Sequence, residues 1–199
     1  MDELMNLTEI AKEIHENAVA HGWWEEDRPT YEIIALIHSE WSEALEEYRA
    51  GRPMVWYAVN CDCVICKNRP VMHNEICEGY ECNENHKPEG IAVELIDGVI
   101  RILDYIAACK ETHRLDLTLY EYMQPVALPE LVAHLHDFTS RSWLISYSDS
   151  MGIDARILSI NVKAVFDWIG RQGLDPLEIL KKKHEYNKTR PYRHGGKVC

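Results

Sequence analysis

The sequence predicts an essentially all-α protein, and three observations carry that expectation. Apolar residues recur at three- and four-residue steps through most of the 199-residue chain. Proline and glycine punctuate these stretches at intervals suited to helix ends. No run of alternating apolar and polar residues demands a sheet; segment 116–127 is the best strand candidate, and a weak one.

The first helix is expected from Leu4 to about His21, because Leu7, Ile10, Ala11, Ile14 and Ala18 share one face. Asn6 or Thr8 is suited to cap it, and Gly22 ends it. After Trp23, Trp24 and a polar turn, Pro29-Thr30 opens a second helix, Thr30 to Arg49, stopped by Gly51 and Pro53. Residues 54–87 lose the period and hold most of the cysteines, which reads as an insert within a single domain spanning 1–199. Pro88 restarts a strongly apolar helix to about Lys110, with Cys109 as a buried residue at its end. Further helices are expected at Pro129 to about Tyr147, Asp154 to Arg171, and Pro176 to about Tyr186, followed by a basic, Gly-rich tail. The stretch from Leu115 to Tyr147 has no functional reading of its own; His134 and His136 could mark a further site but read more readily as ordinary helix residues.

Composition narrows the function. The formal net charge is −12, which argues against stable nucleic-acid binding, since that needs a basic surface to displace counterions. A small phosphorylated substrate stays open, because a bound divalent ion inverts the local field. No segment approaches the roughly 20 apolar residues that cross a bilayer, and the acidic start MDELMNLTEI lacks the form of a secretory signal. A cytoplasmic protein without membrane contact is expected. In such a reducing compartment, five cysteines between Cys61 and Cys82 point to metal before disulfides.

Two helices carry unusual carboxylates. In the second, Ile33, Leu36, Ile37, Trp41, Ala44 and Tyr48 form one apolar arc at 100° per residue, and Glu40 lies inside it. Glu43 sits at the edge of the arc, and Glu47 also projects inward. An ionised carboxylate facing a core is costly unless something neutralises it. In the third, Ile96, Val99, Ile100, Leu103 and Ala107 fill a wide arc, and Glu94, Asp97, Arg101 and Asp104 gather on the remaining stripe. Four oxygen donors on two helices suit Mg²⁺ or Mn²⁺. The competing reading is a buried salt-bridge network involving Arg101. A di-iron site would want Glu-x-x-His pairs, which neither acidic helix offers.

The last fifth of this acidic chain concentrates Lys181, Lys182, Lys183, Lys188, Arg190, Arg193 and Lys197, interleaved with tyrosine and histidine. Such cations can clamp a polyphosphate; the plainer alternative is a solvated terminal charge run.

Taken in order, Glu40-Trp-Ser-Glu43, Glu94-Leu-Ile-Asp97 and the ending KHEYNKTRPYRHGGK over 183–197 resemble the MazG-like all-α NTP pyrophosphatases. The resemblance covers about 21–52, 90–108 and 170–197. It implies a four-helix-type bundle, assembly as a homodimer or homotetramer, and hydrolysis of a nucleoside triphosphate to the monophosphate and pyrophosphate. It also implies Mg²⁺ on Glu40, Glu43, Glu94 and Asp97, with Glu43 the choice for general base. Lys183, Asn187, Arg190 and Lys197 match phosphate-contacting positions, in the same or a neighbouring subunit. Trp24 (or Trp23) and His38 are candidates for the base pocket, one of the two tryptophans being as readily a core anchor.

The insert departs from the family pattern. Cys63-x-x-Cys66 followed by Cys77 and Cys82 has the spacing of a tetrahedral Zn²⁺ site, with Cys61, His73 and His86 as competing ligands. A free-thiol loop or redox pair is the alternative. A non-catalytic protein whose zinc insert binds a partner is the competing function.

Overall fold

A computed structural model describes residues 2–58, 87–115, 117, 127–149 and 153–196. Cys61, Cys63, Cys66, His73, Cys77, Cys82, His86, Lys197 and Cys199 lie outside them, so the zinc expectation and one of the tail cations have no structural counterpart here; most of the 116–127 strand candidate lies outside as well.

The described chain is mostly helical, as expected. It runs α1 (Asp2–Ala20), α2 (Thr30–Arg49), β1 (Trp56–Ala58), β2 (Lys87–Glu89), α3 (Ile91–Ala108), a 3-10 turn (Thr112–Arg114), α4 (Leu128–Asp149), α5 (Ala155–Arg171) and α6 (Pro176–Lys188), ending in a short turn at Arg193–Gly196. Among these helices α3 is central: it packs against α1, α2, α5 and α6, while α4 closes the far side against α2 and α5. Twelve of its 18 residues are buried, Glu94 among them, which accounts for its near-continuous apolar sequence.

Three expectations are corrected. Pro88 does not start a helix. It sits in β2, opposite Tyr57 in a two-stranded antiparallel ribbon, and α3 begins only at Ile91. Proline is tolerated there because an edge strand can spare an N–H. The ribbon joins the two ends of the insert, and the carbonyls of Pro53 and Met54 accept the first α3 amides, Ile91 at 3.4 Å and Ala92 at 2.9 Å. Chain at the entrance to the insert thereby caps the helix that follows it. Tyr48 is 49% exposed and lies off the apolar face, whereas Ile34 is buried. Cys109 is exposed at the end of α3.

Packing between α2 and α3 is close. Trp41 is fully buried against Gly98, where a Cβ would lie 2.2 Å from the indole ring. The indole N–H donates to Thr139 Oγ1 on α4 at 3.0 Å, and Asn161 on α5 donates to the same oxygen at 2.8 Å. One hydroxyl therefore ties three helices together, and Thr139 in turn donates to the Leu135 carbonyl at 2.7 Å. Within the 115–147 segment, α4 thus supplies a partner surface for α2.

Candidate active site

A cleft of about 210 Å³ opens beside α3 and is lined from α1, α2, α3 and α6. The sequence places the acids there for a simple reason. Positions three apart on a helix point the same way, so Glu40 and Glu43 descend from α2, and Glu94 and Asp97 rise from α3, into one space. Glu40, Glu43 and Glu94 each bring a carboxylate oxygen within 4.8 Å of the others. Oxygens around an octahedral ion with bonds of about 2.1 Å lie roughly 3 to 4 Å apart. The cluster and its hard-oxygen chemistry therefore fit Mg²⁺ or Mn²⁺.

The fourth expected ligand is differently engaged. Asp97 lines the same cleft, but its Oδ2 holds Lys183 Nζ at 2.8 Å. Lys183 is only 2% exposed and also donates to the Pro88 carbonyl at 3.2 Å. It is a buried counter-ion that ties α6 to α3 and to the insert's ribbon. Glu40 accepts from Arg101 Nε at 2.5 Å, so the arginine named as the alternative partner of these acids does pair with one of them. The cluster thus combines features of both readings. Glu40 and Asp97 are each held by one cation, Arg101 and Lys183, while Glu43 and Glu94 complete the acidic lining.

Burial acts on these acids as expected for carboxylates removed from water. It raises the Glu40 carboxyl, against the pull of Arg101. It pushes Glu94 up to about 9; nearby Asp97 and a hydrogen bond with Glu89 add to this, and Lys183 opposes it. The sign of the linkage follows. Folded Glu94 keeps a proton that the unfolded chain loses near 4.5, so metal-free protein loses stability as pH rises from about 5 to about 9. In EDTA, Tm is expected to fall between pH 6 and pH 8.5, and Glu94→Gln to flatten that slope. A wild-type Tm that rises over this range would refute the assignment.

The remaining candidates divide. Asn187 and Arg190 line the cleft, on and just beyond α6. They reach it within the same chain, because the tail folds back onto the α1–α2 loop. His21 brings its ring nitrogens to the carbonyls of Asn17 at 2.8 Å and Arg190 at 2.9 Å. The Arg193 amide donates to the His21 carbonyl at 3.1 Å, and Tyr192 donates to Glu25 at 2.6 Å. Gly22 permits this docking: its φ is +80°, and a Cβ would lie 2.3 Å from the Tyr192 ring. Arg193 and His194 adopt left-handed φ of 43° and 49°, strain held by these anchors and brought next to the cleft.

His38 is not in the cleft. Two residues before Glu40, it points about 200° away around the helix, where its ring stacks on His136 with the two Nδ1 atoms 2.7 Å apart. Trp24 also turns aside. Its indole donates to both oxygens of Asp104, at 3.0 and 3.1 Å, while His15 Nδ1 meets the same carboxylate at 2.8 Å. Trp23 is the tryptophan that lines the cleft, edge-on to His194. Glu47 accepts from the Trp56 indole at 2.7 Å, outside the cluster.

Sequence reasoning missed several cleft residues: Asn17, Arg28, Lys87, His184 and His194. Asn17 was legible in principle, one turn beyond Ile14 on the buried face of α1. Arg28 was not, because its place depends on the loop packing that sets it near both Trp23 and Trp24.

No family model, curated protein or solved structure matches the chain.

Proposed function

We propose that the protein hydrolyses a nucleoside triphosphate, ribo or deoxy, to the monophosphate and pyrophosphate with the help of Mg²⁺. The observation that carries this reading is convergence. Glu40 and Glu43, Glu94 and Asp97, and Lys183, Asn187 and Arg190 come from three distant parts of the chain, each carrying one motif of the resemblance, and all line one cleft.

A metal ion bound by Glu40, Glu43 and Glu94 would supply charge neutralisation at the phosphates and an oriented water. The chain's own groups do the rest. Glu43, the exposed member of the cluster, is placed to take the proton of the attacking water. That water's oxygen adds to phosphorus as the α–β anhydride bond breaks, and pyrophosphate leaves with the bonding pair. Arg190 at the rim, with Arg101 and Lys183 behind the acids, offsets the negative charge of the chain of phosphates. Asp97, held by Lys183, completes the ring of carboxylates around the site.

The non-catalytic alternative has one observation in its favour, the internal pairing of Glu40 with Arg101 and of Asp97 with Lys183. Among the described residues those pairs leave Glu43 without a cation of its own and Glu94 buried beside it, which supports the enzyme reading. The test is incubation of the purified protein with each NTP and dNTP plus Mg²⁺. Stoichiometric monophosphate and pyrophosphate are expected from at least one of them; no turnover of any would overturn the reading. A zinc ion on Cys63, Cys66, Cys77 and Cys82, and assembly as a homodimer or homotetramer, are proposed from cysteine spacing and from the resemblance respectively. Metal analysis finding no zinc in reduced protein, or light scattering giving a monomer mass, would remove each in turn.

A further inference from the structure

Among the described residues, His184 is the one buried polar side chain lining the cleft to which the proposed reaction gives no task. It belongs to α6, whose start is set by Asp175, accepting from the Leu177 and Glu178 amides at 2.9 and 3.2 Å, with Pro176 at the first helical position. From there the helical period turns Leu180, Lys183, His184 and Asn187 inward together. Lys183 spends its charge on Asp97 and Pro88. His184, one step further round, is 3% exposed and lines the cleft, yet its Nε2 has no hydrogen-bond partner among the described residues. Asn187 lies three residues on, on the same face, and its Oδ1 is likewise buried and unpartnered. A buried polar atom left unmatched costs about 1 to 3 kcal/mol, and folded chains keep few of them. Two on one face of one helix, both against the same cleft, point to a ligand that completes them.

The surroundings define that ligand. Facing α6 across the cleft, α1 contributes Ile14, Asn17 and Ala18, and the loop after it contributes Trp23. Ile14, Ala18 and Trp23 are apolar or aromatic; Asn17 and Asn187 are neutral amides; and none of these five bears a charge. Burial, with Lys188 nearby, lowers the His184 imidazole below its ordinary value, so it too is neutral. The acids come from α2 and α3, and the cations Arg28, Lys87, Arg101, Lys183 and Arg190 line the same cleft, Arg28 over the Trp23 ring. Alongside these charges, suited to metal and phosphates, the cleft offers an aromatic surface and unmatched neutral hydrogen-bonding atoms. Nucleobases are flat, uncharged and rimmed with donors and acceptors, and they stack on aromatic rings.

We propose that His184, through Nε2, hydrogen-bonds the edge of the nucleobase, and that Asn187, expected from the resemblance at the phosphates, instead turns its unmatched acceptor to the base and joins His184 in determining which base the cleft accepts. This rests on the pyrophosphatase reading, which it deepens by assigning the base-specificity residue. A site built to hydrogen-bond its substrate rejects analogues lacking the matching group, because its own buried atoms are then left unpaired.

The experiment compares wild type, His184→Ala and His184→Gln for kcat and KM on the four NTPs and four dNTPs, with Tm of each protein. For the preferred base, His184→Ala is expected to lower kcat/KM by about 10- to 100-fold, carried in KM, while poor substrates change less than about threefold. Discrimination between bases collapses, and His184→Gln, which keeps a donor and an acceptor, retains part of it. Equal losses for every base, a loss confined to kcat, or unchanged discrimination would overturn the proposal. Should His184→Ala fail to fold, the glutamine variant is read alone. If wild type turns over no nucleotide, the pyrophosphatase reading fails separately. Binding of α,β-imido triphosphates, followed by tryptophan fluorescence, then decides the base contact: base-dependent affinity flattened in His184→Gln sustains it, and its absence overturns it.

Discussion

Glu40→Gln is expected to lower kcat for nucleotide hydrolysis by about 10³-fold, on the scale seen when one preorganised electrostatic group is removed from a reacting centre. The side chain keeps its shape and an oxygen that accepts from Arg101 Nε, now at 2.5 Å from the carboxylate, but it loses the charge that a metal requires. Stability should change little, for two opposed reasons. The ionised carboxylate is 5% exposed and pays for desolvation, which the amide avoids. Arg101, for its part, loses a charged partner. The measurement is pyrophosphate release alongside Tm in the same preparation. Unchanged turnover with an intact fold would place Glu40 in a structural ion pair and return the site to the non-catalytic alternative.

Lys183→Met is expected to destabilise the fold by about 3 to 5 kcal/mol, the usual result of removing one member of a buried ion pair. Methionine replaces most of the aliphatic stem but leaves Asp97 without its ammonium partner at 2.8 Å and the Pro88 carbonyl without its donor at 3.2 Å. The effect spreads because that nitrogen joins three elements: α6, α3 and the ribbon at the base of the insert. Combining it with Asp97→Asn should recover part of the loss, since the uncompensated charge is gone. Denaturant unfolding reads both variants. A loss below about 1 kcal/mol for the single change would mean that Lys183 is solvated in solution, free to meet phosphate directly.

Much of the architecture was legible because it is written locally. The bounds of α2, Thr30 to Arg49, follow from Pro29-Thr30, an apolar period and Gly51. The ends of α1, α5 and α6 fall within two residues of expectation for similar reasons. Pro88 misled because a proline beside a helical pattern resembles a first-turn residue. Its actual place depends on pairing with residues 56–58, far earlier in the chain, and no local signal carries that register. Tyr48 misled because an apolar arc extrapolates beyond the point where a helix leaves its neighbours.

The candidate site divides along the same line. Glu40 could be singled out from sequence since a carboxylate inside an apolar arc is a local contradiction that demands a partner. His38 and Trp24 could not be ruled in or out, because the direction of a side chain says nothing of what stands opposite. One meets His136 and the other Asp104.

By itself, then, the sequence determined a helical chain, two helices bearing inward carboxylates, and a cationic end, all consequences of period, capping and charge within a few residues. Only tertiary structure decided that Arg101 neutralises Glu40, that Lys183 is buried on Asp97, that the tail docks on its own α1–α2 loop, and that His184 reaches the cleft with an unmatched nitrogen. Each of these depends on which surfaces meet across long stretches of chain. Burial and close approach, which set the energy of a charge or a hydrogen bond, exist only once those surfaces have met.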